Sequence, residues 1–153
     1  QLFTDSVLEE VTLGLSGGED ALAEKVLEKM DLSEVKERHP MSLSGGQKQR
    51  TAICSAYLSD REIIIFDEPT NGLDVLTAKV VTDFLLELKQ KGKTIIVSTH
   101  IFSLIEKICD RVGVIIDGNM VVCDTLENLT KDKCLEDKFF DIYAERVGEY
   151  NEK

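Results

Sequence analysis

An apolar run that ends in two carboxylates constrains the fold of this chain more than any other feature. The run is Ile63 to Phe66, and Asp67 and Glu68 follow it directly. Four consecutive apolar residues predict a strand that is buried on both faces, as in a parallel sheet. Acidic residues also end strands as turn formers, but two ionised groups at one strand end repel each other unless a cation or another partner offsets them. The pattern therefore predicts an α/β domain with a chemical site at the end of this strand.

The residues after this strand complete a strand, helix, strand unit. A helical pattern from Val75 to Lys91 follows the turn at Asn71-Gly72, and Thr94 to Val97 is a second short apolar strand. Such units run their strands in parallel and bind ligands at the carboxyl ends of the strands. His100 comes just after the second strand. We therefore expect His100 at the same edge as the two carboxylates.

Periodicity also predicts the elements on either side of this unit. They are a helix from Ala21 to Leu32 capped by Asp20, a helix from Gln47 to Leu58, a helix from Phe102 to Cys109, a hairpin of Val112 to Ile116 with Met120 to Cys123, and a tail helix from Leu135 to Val147. In the first of these helices we expect Leu22 and Val26 on the buried face.

Charge and apolar content exclude several classes of protein. The 153 residues include 18 Lys and Arg against 29 Asp and Glu, for a formal net charge of -11. Nucleic-acid backbones bind clustered basic side chains, so we expect no nucleic acid as a partner. No apolar run approaches the roughly 20 residues of a membrane-spanning helix. Cysteines without C-x-x-C spacing predict buried, reduced thiols and a cytosolic setting; they are Cys54, Cys109, Cys123 and Cys134.

The tetrapeptide Leu-Ser-Gly-Gly occurs twice, from Leu15 to Gly18 and from Leu43 to Gly46. In the second copy, Ser44 and Gln47 have the spacing of a capping box at a helix start. Amide groups at the positive end of a helix dipole suit a phosphate. In the first copy the next two residues are acidic and would repel a phosphate. The second copy is therefore the candidate phosphate site, and the first is a turn and cap.

Four motifs, in this order, resemble the ATP-binding domains of ABC transporters. LSGGQ at 43–47, IIIFDEP at 63–69, NGLD at 71–74 and STH at 98–100 are similar to the signature motif, Walker B, D-loop and switch histidine of that family. The resemblance extends over nearly the whole chain. It implies a P-loop NTPase-like α/β fold, with a parallel sheet and a helical subdomain. It also implies that ATP and Mg²⁺ are bound between two such domains facing head to tail.

The resemblance implies a role for each candidate residue. Asp67 would bind Mg²⁺, Glu68 would be the general base, and His100 would sense the γ-phosphate. Asp74 would bridge the two subunits. The signature residues would face the γ-phosphate of a nucleotide held mainly by the partner domain; they are Ser44, Gly45, Gly46 and Gln47. Strand alternation points the side chains of Asp67 and Glu68 to opposite sides, so we expect them to have different roles.

The P-loop of the family, G-x-x-x-x-G-K-[ST], does not occur in this sequence. Gly92 is followed by Lys-Thr, but Glu87 stands where the first glycine is required and Gly92 precedes a strand. We interpret Gly92 as the end of a helix and expect the P-loop portion to precede Gln1. We then expect the 153 residues alone to be inactive as an ATPase. Gln1 is either the glutamine that reads the nucleotide state in this family or a residue slightly after it.

On this resemblance the chain has three parts. Residues 1–58 are the helical subdomain and signature helix, 59–125 the RecA-like α/β core, and 126–153 a C-terminal helical tail. The first half, with QLFTDSVLEEV at 1–11, resembles the ATPases of energy-coupling-factor importers, whereas STHIFSLIEKICDRVGVIIDG at 98–118 resembles exporter-type ATPases. A mosaic sequence joined near Asp74 and an uncommon branch of the family would each explain this mixture.

The expected function is that of an ATP-hydrolysing subunit that powers transport through a separate membrane-spanning subunit. We expect it at the cytoplasmic face of the cell membrane. Two other functions stay open. One is a non-transport ABC ATPase acting in DNA repair or on ribosomes, which the net charge of -11 disfavours. The other is a fragment that acts only as a binding module, without catalysis.

Overall fold

The computed structural model describes residues 4–13, 15, 20–59 and 61–151. The chain divides into two compact units, Gln1–Ser98 and Thr99–Lys153. This division differs from the three parts expected from the sequence, which stay a prediction. Gln1 and residues 16–18 of the first Leu-Ser-Gly-Gly lie outside the described residues. No helix in the described ranges is long and apolar enough to cross a membrane.

The first unit is built around a strand, helix, strand motif. Its elements are α1 (Val7–Thr12), α2 (Asp20–Lys29), α3 (Gly45–Leu58), β1 (Ile63–Asp67), α4 (Val75–Gln90) and β2 (Thr94–Ser98), with short 3₁₀ turns at Ser33–Val35 and Pro40–Ser42. β1 and β2 pair in parallel, with Ile63 opposite Thr94 and Asp67 opposite Ser98. The predicted unit is therefore confirmed, and the carboxyl ends of its two strands lie side by side.

Helical spacing determines which side chains of the first unit form its core. In α4, Phe84, Leu85 and Leu88 are buried, as a single apolar face requires. In α2, Val26 is buried but Leu22 is 47% exposed, so the prediction for Leu22 is wrong. Periodicity identifies the apolar face of a helix, but it does not show how far along the helix the packing extends.

The apolar run of β1 is buried on one face only. Ile64 and Phe66 are each 7% exposed, whereas Ile63 and Ile65 are 62% and 70% exposed. The expectation of a strand buried on both faces is therefore wrong for the described chain. Successive strand residues point to opposite faces of a sheet. The described residues cover one face of this two-stranded sheet and leave Ile63 and Ile65 on the other face uncovered.

The second unit consists of a hairpin and helices. Its elements are α5 (Phe102–Ile108), β3 (Arg111–Ile116), β4 (Asn119–Thr125), α6 (Leu126–Leu129) and α7 (Leu135–Asn151). The hairpin turn at Asp117 and Gly118 has φ values of 50° and 75°, and a type I′ turn requires both to be positive. The predicted hairpin is confirmed. Glu106 of α5 accepts a hydrogen bond from the Leu135 backbone N–H at 3.0 Å, which holds the start of α7.

The four cysteines differ in their surroundings. Cys54 is buried, Cys109 is half-buried, and Cys123 and Cys134 are exposed. The expectation of buried thiols is therefore correct for Cys54 and wrong for Cys123 and Cys134. Burial raises the pKa of the Cys54 thiol to about 12.

Candidate active site

The last residues of β1 and β2 are joined by their side chains. Ser98 Oγ donates a hydrogen bond to Asp67 Oδ1, and both residues are exposed. The hydroxyl orients the carboxylate while leaving it accessible at the strand edge. Ser98 was not among the candidate residues expected from the sequence. Pairing the two predicted strands in parallel from their first residues, Ile63 with Thr94, would have placed Ser98 opposite Asp67.

The backbone of Glu68 has an unusual conformation. Its φ is 46°, in the left-handed region, which costs a non-glycine residue about 1–2 kcal/mol. Its N–H donates to the Ser98 carbonyl at 2.9 Å, and its own carbonyl accepts from the Asn71 N–H at 3.1 Å. The same carbonyl accepts from Gln49 Nε2 at 2.9 Å. These hydrogen bonds hold Glu68 in a conformation that the residue does not favour by itself.

This conformation removes the basis for expecting the Asp67 and Glu68 side chains on opposite sides of the strand. β1 ends at Asp67, so strand alternation stops before Glu68. The direction of the Glu68 side chain is set by the turn that follows the strand. The regular strand geometry that we expected for both carboxylates therefore applies only to Asp67, and their roles stay predictions.

The N-terminus of α3 has the predicted capping box. Ser44 Oγ accepts a hydrogen bond from the Gln47 N–H at 3.3 Å, and Gln47 Oε1 accepts from the Ser44 N–H at 3.0 Å. The amides of Gly45 and Gly46 are not used by these two bonds. Arg50 lies close to this helix start. One of its guanidinium nitrogens is 3.8 Å from the position that a Cβ would take on Gly46. The helix start therefore combines backbone amides with a nearby positive charge, which suits an anion.

Asp74 is the N-cap of α4. Its carboxylate accepts hydrogen bonds from the backbone N–H groups of Leu76 and Thr77, both at 3.0 Å. The Thr77 hydroxyl donates to it at 2.6 Å. That hydroxyl bond, followed by the backbone bonds, lowers the pKa of Asp74 from its ordinary value. Asp74 thus has a role within its own chain, and its role between subunits stays a prediction.

His100 belongs to the second unit and is exposed. Its expected position beside the two carboxylates and its role as a γ-phosphate sensor stay predictions. Among the residues that the structure describes, no three His, Cys, Asp or Glu side chains form a group suited to a metal ion.

Comparisons with known proteins agree with the motifs. The family model for ABC transporters matches residues 1–71. The chain is 36% identical over 159 residues to the energy-coupling factor transporter ATP-binding protein EcfA of Methanosphaera stadtmanae, covering 100% of this chain and 57% of that protein. The likeness to an energy-coupling-factor protein therefore extends beyond the first half of the chain. The chain itself spans little more than half of that relative's length.

Solved structures give the same result. One, titled as the ATP-binding subunit of an ABC transporter, has a TM-score of 0.83 at 26% identity, covering 92% of this chain and 64% of that one. Another, titled as a dimeric post-hydrolysis state of an ATP-binding cassette bound to ADP and Pi, has a TM-score of 0.68 at 29% identity, covering 82% and 61%. The expected P-loop NTPase-like fold is confirmed by these neighbours. The chain therefore belongs to the ATP-binding domains of ABC transporters.

Proposed function

We propose that this chain supplies the signature and hydrolytic residues of an ATP-hydrolysing ABC transporter subunit. The observation that carries the proposal is the arrangement at the carboxyl ends of β1 and β2. Ser98 orients Asp67 there, and hydrogen bonds to the backbone of Glu68 hold that residue in place. This is the edge at which α/β sheets bind ligands. Since the chain spans 57% of the EcfA relative, the activity is proposed for a longer protein that also includes a P-loop.

Asp67 is the proposed Mg²⁺ ligand. Mg²⁺ in nucleotide sites is usually held by one or two carboxylates, with waters and phosphate oxygens completing its coordination. An accessible carboxylate oriented by a hydroxyl fits that requirement, and a larger cluster of protein ligands is not needed. When bound, the ion would offset negative charge on the phosphates. Asp67 would thereby hold the nucleotide phosphates at the end of β1.

Glu68 is the proposed general base. Its carboxylate would take a proton from the water whose oxygen attacks the γ-phosphorus, while the bond from that phosphorus to ADP breaks. A positioned general base typically contributes a rate factor of about 10² to 10⁴. The three hydrogen bonds to the Glu68 backbone support this role, because they fix the backbone position from which the side chain extends, next to Asp67.

The N-terminus of α3 is the proposed contact to a second nucleotide. Gly45 and Gly46 would donate their amide hydrogens to the γ-phosphate of ATP held by a second domain, with Ser44 and Gln47 forming the cap beneath them. We propose a head-to-tail dimer in which Asp74 lies between the domains. The similar structure of a dimeric ATP-binding cassette bound to ADP and Pi supports the formation of a dimer.

The remaining assignments complete the proposal. His100 is the proposed sensor of the γ-phosphate. The dimer would bind a membrane-spanning subunit at the inner face of the membrane and power transport through it. The EcfA relative, named as a transporter ATP-binding protein, supports a transport function over the other two that the sequence left open.

The test measures ATP hydrolysis by the full-length protein that contains this chain. Glu68→Gln removes the base and should lower turnover by roughly 10²-fold or more. ATP binding should survive, so dimers with intact nucleotide should accumulate in light scattering. Asp67→Asn should weaken Mg²⁺-dependent binding as well. Glu62→Gln is the matched control, because Glu62 is an exposed glutamate just before the other end of β1. A Glu68→Gln protein as active as the control would contradict the assignment.

A second measurement concerns the 153-residue chain alone. A P-loop supplies most phosphate contacts in its family, so calorimetric titration of this chain with MgATP should show weak binding at best. Lys93 should not replace the P-loop lysine, since it lies just before β2 rather than after a strand. Submicromolar affinity would contradict this expectation.

A further inference from the structure

We propose that Gln49 is a positioning residue for hydrolysis, which holds the general base of its own chain through the backbone of Glu68. The inference rests on the proposed function of Glu68. It assigns a role to a residue of α3 that lies outside the motifs discussed above.

The contact joins two separate elements of the first unit. Gln49 Nε2 donates to the Glu68 carbonyl at 2.9 Å, in a partly buried position, across a sequence separation of 19 residues. Gln49 lies in α3, whose first residue is Gly45 of the signature motif. One side chain therefore links the signature helix to the backbone of the glutamate proposed to activate water.

The contact acts on the backbone of Glu68, whose conformation places the carboxylate. A left-handed φ of 46° is not favoured by a glutamate, so surrounding contacts must maintain it. The bonds to Ser98 and Asn71 come from the neighbouring strand and from the same turn, whereas the bond from Gln49 comes from a helix. Without it, the Glu68 carbonyl loses its tether to α3. The turn that places the carboxylate can then shift.

A purely structural role for Gln49 predicts a different outcome. If the bond only attached α3 to the turn after β1, its loss would lower stability without changing turnover at saturating ATP. If it positions Glu68, its loss should lower kcat while KM for MgATP stays nearly constant, because small displacements of a reacting group reduce rate strongly.

Gln49→Met in the full-length protein tests the difference, since it keeps the length of the side chain and removes the donor. We expect kcat to fall by about tenfold or more with KM within about twofold. Gln49→Glu, which keeps polarity and also lacks the amide donor, should behave in the same way. Tyr57→Phe is the matched control. It removes another side-chain hydrogen bond of α3, from the Tyr57 hydroxyl to Glu87 Oε2 at 2.7 Å, and should leave kcat within about twofold.

A double variant separates this inference from the proposed function. In a Glu68→Gln background, Gln49→Met should change the residual rate by less than about twofold, because the group it positions is already gone. An equal loss in both backgrounds, or full kcat in both Gln49 variants, would overturn the positioning role. So would failure of both Gln49 variants to fold, which would indicate a structural role. If Glu68→Gln itself keeps parental turnover, the proposed function fails instead.

Discussion

Ser98 at the end of β2 donates a hydrogen bond to the carboxylate of Asp67 at the end of β1. The register of the parallel pair places these two residues directly opposite each other. A hydroxyl in this position selects one orientation of the carboxylate before any ligand arrives. Partners of this kind tune metal affinity although they do not bind the metal themselves.

Ser98→Ala should therefore raise the Mg²⁺ concentration that gives half-maximal ATP hydrolysis in the full-length protein, by about tenfold. Ser98→Thr keeps the hydroxyl and should stay close to the parent. The measurement is a Mg²⁺ titration of hydrolysis at saturating ATP. An unchanged Mg²⁺ requirement in Ser98→Ala would show that Asp67 does not need this partner.

The two copies of Leu-Ser-Gly-Gly should respond differently to the same change. Ser44→Arg places bulk at the capped start of α3 and should abolish ATP turnover, because it would block the face proposed for the γ-phosphate. Ser16→Arg changes the other copy, and turnover should stay within about threefold of the parent, because the acidic residues that follow this copy would already repel a phosphate. Hydrolysis rates of the two full-length variants provide the comparison. Equal losses would mean that the acidic residues after Gly18 do not distinguish the copies.

Tyr57 and Glu87 should make stability depend on pH in the acidic range. The hydrogen bond from the Tyr57 hydroxyl is the main cause that lowers the pKa of Glu87 below its ordinary value of 4.5. A carboxylate with a lowered pKa contributes stability above its unfolded pKa and loses it as the pH falls through its folded pKa. Because Glu87 is partly exposed, the contribution should stay below about 1 kcal/mol.

Tyr57→Phe should accordingly lower the free energy of unfolding near pH 7, and its effect should shrink towards about pH 3. Urea unfolding at both pH values measures the change. In a Glu87→Gln background the effect of Tyr57→Phe should no longer depend on pH. A difference of the same size at both pH values in the parent background would contradict this origin of the stability.

The cysteines should differ in reactivity. Burial raises the pKa of the Cys54 thiol to about 12, so very little of it is in the reactive thiolate form near neutral pH. Cys123 and Cys134 are exposed and should be alkylated first. Mass spectrometry after brief iodoacetamide treatment of the native chain identifies the labelled sites. Labelling of Cys54 as fast as that of Cys123 would mean that the core around it opens readily.

Features that depend on near neighbours in the chain could be predicted from the sequence. The capping box of Ser44 and Gln47 spans three residues, and the turn at Asp117-Gly118 needs only a pair of residues that accept positive φ. The strand, helix, strand unit also followed, because its apolar periods are local and its parallel pairing is a general property of such units. The position of the two carboxylates also followed, because they come directly after the apolar run of a strand.

Other features depend on packing between distant segments, and only the tertiary structure decided them. The hydrogen bond from Gln49 to Glu68 spans 19 residues, and no local pattern specifies which carbonyl a helix side chain reaches. The exposure of Ile63 and Ile65 depends on which face of the sheet other segments cover, whereas their hydrophobicity alone predicted burial. The sequence by itself thus determined which residues stand at the strand ends and helix start, and the tertiary contacts decided how each of them is held.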